Sequence, residues 1–201
     1  LDDVKVLYLH AHGPGILHTK KPVKTLDELK GMKIRATGLA AKVVSSLGAA
    51  PVGTTMPETY DALRTGVAEG AMAPIEALKG WKWGEVVKST TQNFGSAYTT
   101  AMFIVMNKGK WNSLPPDVQK VFEDVSKEYI VKQGQLWDKI DKDGYDFSKA
   151  RGNQVIALSK EEDAKWAAKV KPLLDEYAKN AKAKGLPGDA AVKFCLDFLK
   201  K

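Results

Sequence analysis

Helix and strand patterns alternate at short intervals along the first half of the chain. At residues 25–28 the sequence TLDE is a capping box, in which the threonine hydroxyl and the glutamate carboxylate satisfy free N–H groups at a helix start. Apolar segments predict strands over residues 32–36, 51–54, 67–73, 89–94 and 98–107. Helix patterns lie between them, over residues 26–31, 39–47, 57–66 and 74–87. This βαβα order predicts a parallel sheet with helices on both faces.

A long amphipathic helix dominates the second half. After the two prolines at 115 and 116, apolar residues recur every three or four positions from Val118 to Ile140, which is the spacing of one helix face. The predicted helix is much longer than the average of about 11–12 residues, so we expect it to span more than one packing unit. It is followed by a strand over residues 154–158, a second capping box at Ser159 and Glu162, and a last amphipathic helix that ends at Lys201.

Composition and charge narrow the classes of function. The 201 residues are 44% hydrophobic and 27% charged, which is not the composition of a disordered chain. No apolar run approaches the ~20 residues of a membrane span, so we expect a soluble protein. The net charge of +7 comes largely from lysines that alternate with acidic residues in the C-terminal segment. Arginine is scarce, so the signature of a groove-reading protein is missing and we expect no nucleic-acid partner.

Signatures of catalysis are few. Cys195 is the single cysteine, which excludes an intramolecular disulfide and a cysteine-based metal site. The chain has no nucleophile elbow, P-loop or dinucleotide fingerprint. His10 and His12 are spaced to share one face of a strand, where two imidazoles can chelate a metal, but no acidic or cysteine cluster accompanies them. We expect a polar edge or pocket wall at these histidines, with no metal, no cofactor and no enzymatic activity.

Arg35 is the most informative charged residue. It ends a predicted buried strand, where a guanidinium needs a partner. Its planar fork suits a carboxylate, with which it forms two parallel charge-assisted hydrogen bonds. The residues alone leave two partners open, namely a ligand carboxylate or an internal acid. The candidate internal acids are Glu58, Asp61 and Glu69.

Aromatic and thioether side chains supply candidate pocket walls. Trp81 and Trp83 are two residues apart on a predicted helix, so they point to different sides, one to the core and the other to a pocket or interface. Met56 and Met72 fall at the ends of predicted strands, where adaptable thioethers can line an apolar pocket. Each methionine taken singly is equally compatible with ordinary core filling.

An ordered set of motifs resembles the periplasmic solute-binding proteins of TRAP transporters, the DctP family. The match covers nearly the whole chain, which makes it far more specific than any one motif. The matching segments are residues 25–35 (TLDELKGMKIR), 47–52 (LGAAPV), 56–63 (MPETYDAL), 64–70 (RTGVAEG) and 106–115 (MNKGKWNSLP).

The resemblance implies a fold and a role. It implies a two-lobed α/β receptor of the periplasmic binding protein type, with parallel-type sheets flanked by helices and a long helix that spans both lobes. Arg35 would hold the carboxylate of a small organic acid, and the loaded receptor would dock on TRAP membrane subunits in the periplasm. Residues 1–94 would form mainly the complete ligand-binding lobe, residues 95–150 a crossover strand with the spanning helix, and residues 151–201 a returning strand with the C-terminal helices.

Departures from the family pattern sharpen the expected ligand. Family members are about half as long again, so most of the N-terminal lobe would be missing, with the partners of strand 98–107. The chain should then expose apolar surface and can self-associate. Ala73 stands where many members carry Asn, and a second family arginine, near Gly15, is absent. Fewer polar contacts favour a monocarboxylate with an apolar or aromatic body. The predicted binding residues are Arg35, Met56, Met72, Ala73, Trp81, His10 and His12.

Two other functions remain open from the sequence. The first is a ligand-sensing or signalling module that uses the same fold to present its ligand state to a partner. The second is a metal-assisted hydrolase built on His10 and His12.

Overall fold

One six-stranded mixed sheet organises most of the molecule. The structure is a computed structural model that describes residues 2–199. The strand order is β4-β3-β5-β2-β6-β8. These strands are β2 (Gly15–Thr19), β3 (Lys33–Arg35), β4 (Ala50–Val52), β5 (Gly70–Pro74), β6 (Ser89–Gln92) and β8 (Gln154–Ala157). The pairs β3–β4, β3–β5 and β6–β8 are parallel, as the βαβα order predicts. Strand β2 runs antiparallel to both β5 and β6, so the expectation of a purely parallel sheet is wrong at this strand.

Helices cover both faces of this sheet, which confirms the α/β class. Short helices connect the strands, and the C-terminal helices pack behind them. In chain order the helices are α1 (Leu26–Leu29), α2 (Leu39–Ser46), α3 (Met56–Thr65), α4 (Ala77–Gly80), α5 (Lys108–Asn112), α6 (Pro116–Ala150), α7 (Lys160–Val170), α8 (Pro172–Ala183) and α9 (Gly188–Phe198). The expected helix end at Lys201 lies outside the described residues.

Each face of the sheet has its own apolar core. One core contains Met72, Ile34 and Trp166, and the other contains Ala73, Trp83 and Leu63. Side chains alternate along a strand, so the neighbours Met72 and Ala73 point into different cores. We call the six-stranded sheet with its two cores the lobe.

The two predicted capping boxes have different outcomes. At α1 the box forms, because Glu28 N donates to Thr25 Oγ1 at 3.3 Å and Thr25 N donates to Glu28 Oε2 at 3.2 Å. At α7, Glu162 N donates to the Ser159 hydroxyl, but the Glu162 carboxylate accepts from Leu26 N at 2.8 Å instead of returning to Ser159. The second box is therefore only half formed, and Glu162 connects α7 to the start of α1. The Leu26 N–H contributes most to lowering the pKa of Glu162.

A two-stranded ribbon and the long helix form a second region, which we call the arm. Strand β1 (Val4–Ala11) pairs antiparallel with β7 (Ala101–Asn107), and α6 packs on β1. The partner of β7 thus lies within this chain. The prediction of one long helix is confirmed by the 35 residues of α6. The expected exposed apolar surface is also present, and it includes Leu9 and Phe103 on the ribbon and Val121, Val125, Tyr129, Ile130 and Leu136 on the helix.

The helix predicted over residues 74–87 breaks into pieces. Strand β5 continues to Pro74, α4 covers only Ala77–Gly80, and Trp83–Glu85 form a short 3-10 helix. Lys82 lies between the two helical pieces with a φ of 59°, in the left-handed region that side chains with a Cβ rarely adopt. This turn ends α4 and redirects the chain that carries Trp83.

Over residues 2–199, no helix combines the length and apolar character that crossing a bilayer requires.

Candidate functional site

Arg35 ends β3 as a buried cation that has no acidic partner among the described residues. The residue is 5% exposed, and its Nε donates to Thr54 O at 3.0 Å. Within residues 2–199, no carboxylate forms an ion pair with its guanidinium. The three candidate internal acids have other contacts: Glu58 accepts from Thr55 N, Asp61 pairs with Arg64, and Glu69 accepts from Lys33 N. The two terminal nitrogens of Arg35 thus remain available for an external carboxylate.

Trp83 forms a platform for this guanidinium. The Cζ atom of Arg35 lies 5.6 Å from the centroid of the Trp83 ring, and Trp83 is fully buried. Such a cation–π contact stabilises the charge and fixes the plane of the fork. Burial lowers the pKa of Arg35, and the nearby Tyr98 opposes this shift. An arginine nevertheless stays charged in proteins, so the site presents a positive, poorly solvated fork.

A row of aromatic rings runs from this region along the junction between the lobe and the arm. The His12 ring lies edge-on to Tyr98 at 5.4 Å and to Trp137 at 6.0 Å, measured between centroids. His10 stacks on Trp137 at 6.5 Å and accepts a hydrogen bond from the indole Nε1 at 3.2 Å. Burial raises the pKa of Tyr98, whose hydroxyl donates to Met72 O at 3.3 Å. The arrangement gives an aromatic wall with polar edges.

The histidines do not assemble a metal site in the described part of the chain. Within residues 2–199 there is no group of three or more His, Cys, Asp or Glu side chains placed to hold a metal ion. His10 contacts the ring of Trp137, and His12 contacts the rings of Trp137 and Tyr98.

The Asp141 carboxylate lies near both His12 and Glu76 where the lobe meets the arm. Glu76 N donates to Asp141 Oδ1 at 3.2 Å, and the Asp141 carboxylate also fills the space above Gly13, where an added Cβ would lie 1.7 Å from Oδ2. Burial, reinforced by Asp141, raises the pKa of Glu76 to about 7. Burial also raises the pKa of Asp141, while His12 lowers it. Asp141 thus connects α6 to the loop after β5 through one acceptor.

The remaining predicted site residues are spread over the lobe. Ala73 is buried on the same face as Trp83, whereas Met72 is buried in the opposite core. Met56 begins α3 and packs partly buried against the core that contains Ala73. Trp81 is 39% exposed at the end of α4, so the tryptophan that contacts Arg35 is Trp83.

Sequence reasoning considered Trp83 together with Trp81 but chose Trp81 as the binding residue. It did not single out Tyr98, Trp137 or the pair of Glu76 and Asp141. Trp137 was recognised only as an apolar position of the long helix. The β1 strand, which brings His10 and His12 against Trp137, was not predicted either. Two sequence features could have pointed to this contact: the i, i+2 spacing of the two histidines and the apolar periodicity of α6, which includes Trp137.

Comparison with known proteins places the chain in a family of solute-binding proteins. Residues 2–180 match the family described as bacterial extracellular solute-binding protein, family 7 (DctP). A solute-binding protein of Sulfitobacter sp. strain NAS-14.1 is 31% identical over 179 residues, which cover 88% of this chain and 53% of that protein.

Solved structures give a similar result. A marine metagenome TRAP solute-binding protein specific for aromatic acid ligands, in complex with metahydroxyphenylacetate, is 33% identical, with a TM-score of 0.89 over 100% of this chain and 64% of the other. A TRAP solute-binding protein of Rhodoferax ferrireducens T118 with copurified benzoate is 30% identical, with a TM-score of 0.88 over 96% of this chain and 62% of the other. The chain thus spans about half the length of the curated relative and less than two thirds of these structures.

Proposed function

Because the chain belongs to family 7 of the bacterial extracellular solute-binding proteins, we propose that it acts as a periplasmic receptor for a small organic acid and delivers this ligand to TRAP membrane subunits. The proposed ligand is a monocarboxylate with an apolar or aromatic body. Proteins of this family are transport receptors rather than enzymes, and the chemistry of the site is that of recognition.

The unpaired buried guanidinium of Arg35 carries this proposal. A buried charge is costly unless it is paired, and Arg35 has one hydrogen bond to a carbonyl but no anion among residues 2–199. A ligand carboxylate would supply the missing charge through two parallel N–H···O bonds. Exclusion of water around the pair would strengthen the attraction, since the effective dielectric constant falls.

The walls near Arg35 favour one carboxylate and an apolar body. Trp83 lies beneath the guanidinium, Ala73 offers no polar group, and Tyr98 and His12 place aromatic rings toward the arm. Aromatic rings favour offset or edge-to-face contact with another ring. Two similar structures contain aromatic acids, which supports the same class here. His10 and His12 would accept or donate a hydrogen bond at a hydroxyl or keto substituent, and Met56 and Trp81 would border the pocket, whereas Met72 would support the site only from the opposite core.

Calorimetry with matched variants tests the role of Arg35. Benzoate and 3-hydroxybenzoate should bind more tightly than succinate or glucuronate. Arg35→Ala should weaken benzoate binding at least about 30-fold, because truncating one partner of a buried charge pair costs about 2–5 kcal/mol. Arg64→Ala is the control, since Arg64 is exposed on α3 and pairs with Asp61. Near-normal affinity in Arg35→Ala, or preference for the dicarboxylate or the sugar acid, would contradict the proposal.

We also propose that the exposed apolar surface of the arm supports self-association. Several large apolar side chains of β1, β7 and α6 are about half exposed, and contiguous surfaces of this kind commonly mark interfaces. Light scattering coupled to size exclusion should detect a dimer that Phe103→Ser and Val121→Ser weaken. A strictly monomeric wild type at high micromolar concentration would contradict this.

A further inference from the structure

His18 is a fully buried histidine in the same row of the sheet as Arg35. The register pairs Arg35 with Ala71, Ala71 with His18, and His18 with Thr90. Directly paired residues point to the same face, so Arg35 and His18 flank the small Ala71 side chain on the face that Trp83 covers. With strands about 4.8 Å apart, their Cα atoms are separated by roughly 10 Å.

Both ring nitrogens of His18 have partners, and the partners define the tautomer. Nε2 lies 3.1 Å from Ala73 O, and Nδ1 lies 2.9 Å from the Thr90 hydroxyl. A carbonyl oxygen only accepts, so Nε2 carries the proton and donates to Ala73, while Nδ1 accepts from Thr90. Burial lowers the pKa of His18 to about 4, which agrees with a neutral ring at physiological pH.

Side-chain donors add to the strand pairing at the end of β5. Strand β2 pairs with β5 as far as Pro74, whereas the pairing of β3 with β5 ends at Ala71, so the last β5 residues have a strand partner on one side only. The Tyr98 hydroxyl donates to Met72 O, and His18 donates to Ala73 O. Pro74 follows with no N–H of its own. Two side chains thus fix consecutive carbonyls where β5 passes the Arg35 region.

We propose that His18 is a positioning residue of the ligand site, and that its Nε2–H bond to Ala73 O holds the end of β5 in place as the wall beside Arg35. This inference rests on the proposed function, because it assigns His18 to the same site. It differs from a purely structural role, in which His18 would fill the core and any substitution that kept the fold would keep ligand affinity.

The tautomer is tested on the wild-type protein without ligand. Long-range ¹H–¹⁵N NMR spectra of histidine-labelled protein should show His18 protonated at Nε2 and neutral from pH 5 to pH 8. The Nε2 proton should exchange slowly with solvent. A ring that carries its proton at Nδ1, or becomes charged above pH 5, would overturn the proposal whatever the protein binds.

Two variants separate positioning from packing. His18→Gln retains an amide N–H within reach of Ala73 O, whereas His18→Leu has similar bulk without a donor. We expect His18→Leu to weaken benzoate binding about 10-fold and to raise amide hydrogen exchange at Glu76, just after β5, while His18→Gln stays within about threefold of wild type. Val44→Ala, in the opposite core, is a control for stability alone and should leave the affinity unchanged.

The outcomes distinguish this inference from the proposed function. Wild-type affinity and Glu76 exchange in a folded His18→Leu protein would overturn the positioning role. If wild type binds none of the acids, the proposed function fails, and the positioning role fails with it even if the His18 tautomer and the Glu76 exchange behave as expected. If His18→Leu does not fold, the NMR result on wild type and the affinity of His18→Gln decide: a 10-fold loss in His18→Gln would contradict the proposal.

Discussion

The lobe and the arm use apolar residues in opposite ways. In the lobe, Leu63 and Trp166 are fully buried, and the sheet separates two closed cores. In the arm, Leu9 is 59% exposed and Val121 is 61% exposed, although both lie on regular secondary structure. Both regions therefore consist of regular secondary structure, but among the described residues only the lobe encloses a hydrophobic core.

This difference determines how rigidly each region holds the side chains of the candidate site. Arg35, Ala73 and His18 lie on strands whose neighbours are packed on both faces, so their side chains have little freedom. The aromatic residues Trp137 and His10 come from the arm, where many large apolar side chains remain exposed. A site that combines both regions receives its charge from rigid elements and its outer wall from less constrained ones.

Matched leucine truncations should give the largest contrast. Leu63→Ala in the lobe should lower the free energy of unfolding by about 3–5 kcal/mol, because it removes buried apolar area and leaves a cavity. Leu9→Ala in the arm should change it by no more than about 0.5 kcal/mol. Urea denaturation followed by circular dichroism measures both. Equal losses of unfolding free energy in the two variants would mean that Leu9 is covered in solution, as in a dimer. The stability of such a dimer would then fall on dilution.

The pH dependence of stability should reveal two opposing groups. The pKa of Glu76 is raised to about 7 from 4.5, so the native state holds its proton more tightly and stability falls as pH rises between those values. The pKa of His18 is lowered to about 4 from 6.5, so stability rises with pH over that interval. The two slopes oppose each other from about pH 4.5 to 6.5.

Single variants should separate the two slopes. Glu76→Gln should make stability rise more steeply between pH 4.5 and 6.5 than in wild type, and His18→Gln should make it fall. The difference across the interval should be on the order of 1–3 kcal/mol, since one pKa unit corresponds to about 1.4 kcal/mol. Denaturant titrations at several pH values measure it. Variant curves that run parallel to wild type would exclude both assignments.

The junction between lobe and arm should show a smaller effect at Asp141. Asp141→Ala leaves Glu76 N without its acceptor and should cost about 1–2 kcal/mol. Asp141→Asn keeps an oxygen acceptor and removes the like charge, so its stability should stay near wild type while the pKa of Glu76 falls. Chemical denaturation and carboxyl NMR titration measure the two quantities. A loss of stability in Asp141→Asn as large as that in Asp141→Ala would argue against the hydrogen bond from Glu76 N.

The smallest effect is expected for exposed ion pairs on α6. Lys142 and Asp146 are four residues apart, with Nζ and Oδ2 separated by 2.6 Å. Exposed pairs of this kind contribute little to stability and are screened by salt. We therefore expect Lys142→Ala to change the stability barely at low salt and not at all in 1 M NaCl. A loss of stability that persists in 1 M NaCl would indicate that α6 has a partner surface nearby.

The features that were predicted correctly depend on residues close together in the sequence. The capping box at Thr25 and Glu28 forms because its two hydrogen bonds involve residues three apart. The long helix follows from its apolar spacing. The burial of Arg35 was predicted from the strand that precedes it, and none of the three candidate internal acids pairs with it.

Other features depend on tertiary contacts. The break at Lys82 places Trp83, rather than Trp81, beneath Arg35, and a left-handed lysine has no sequence signature. Strand β2 was missed because its five residues are buried throughout and show no alternation. Met72 and Ala73 were both expected to line the pocket, but side-chain alternation in β5 sends them to opposite cores.

The ribbon of the arm has a consequence for the order of folding. Strands β1 and β7 pair with each other, yet residues 12–100 lie between them along the chain. Closing so long a loop before the intervening residues are ordered has a large entropic cost. Once the lobe has folded, its two chain ends emerge side by side, since Tyr98 N and Gly15 O are hydrogen-bonded at 3.3 Å. Contacts of such large sequence separation form slowly. We therefore expect β1 and β7 to pair last, after the folded lobe has brought the ends of the two strands together.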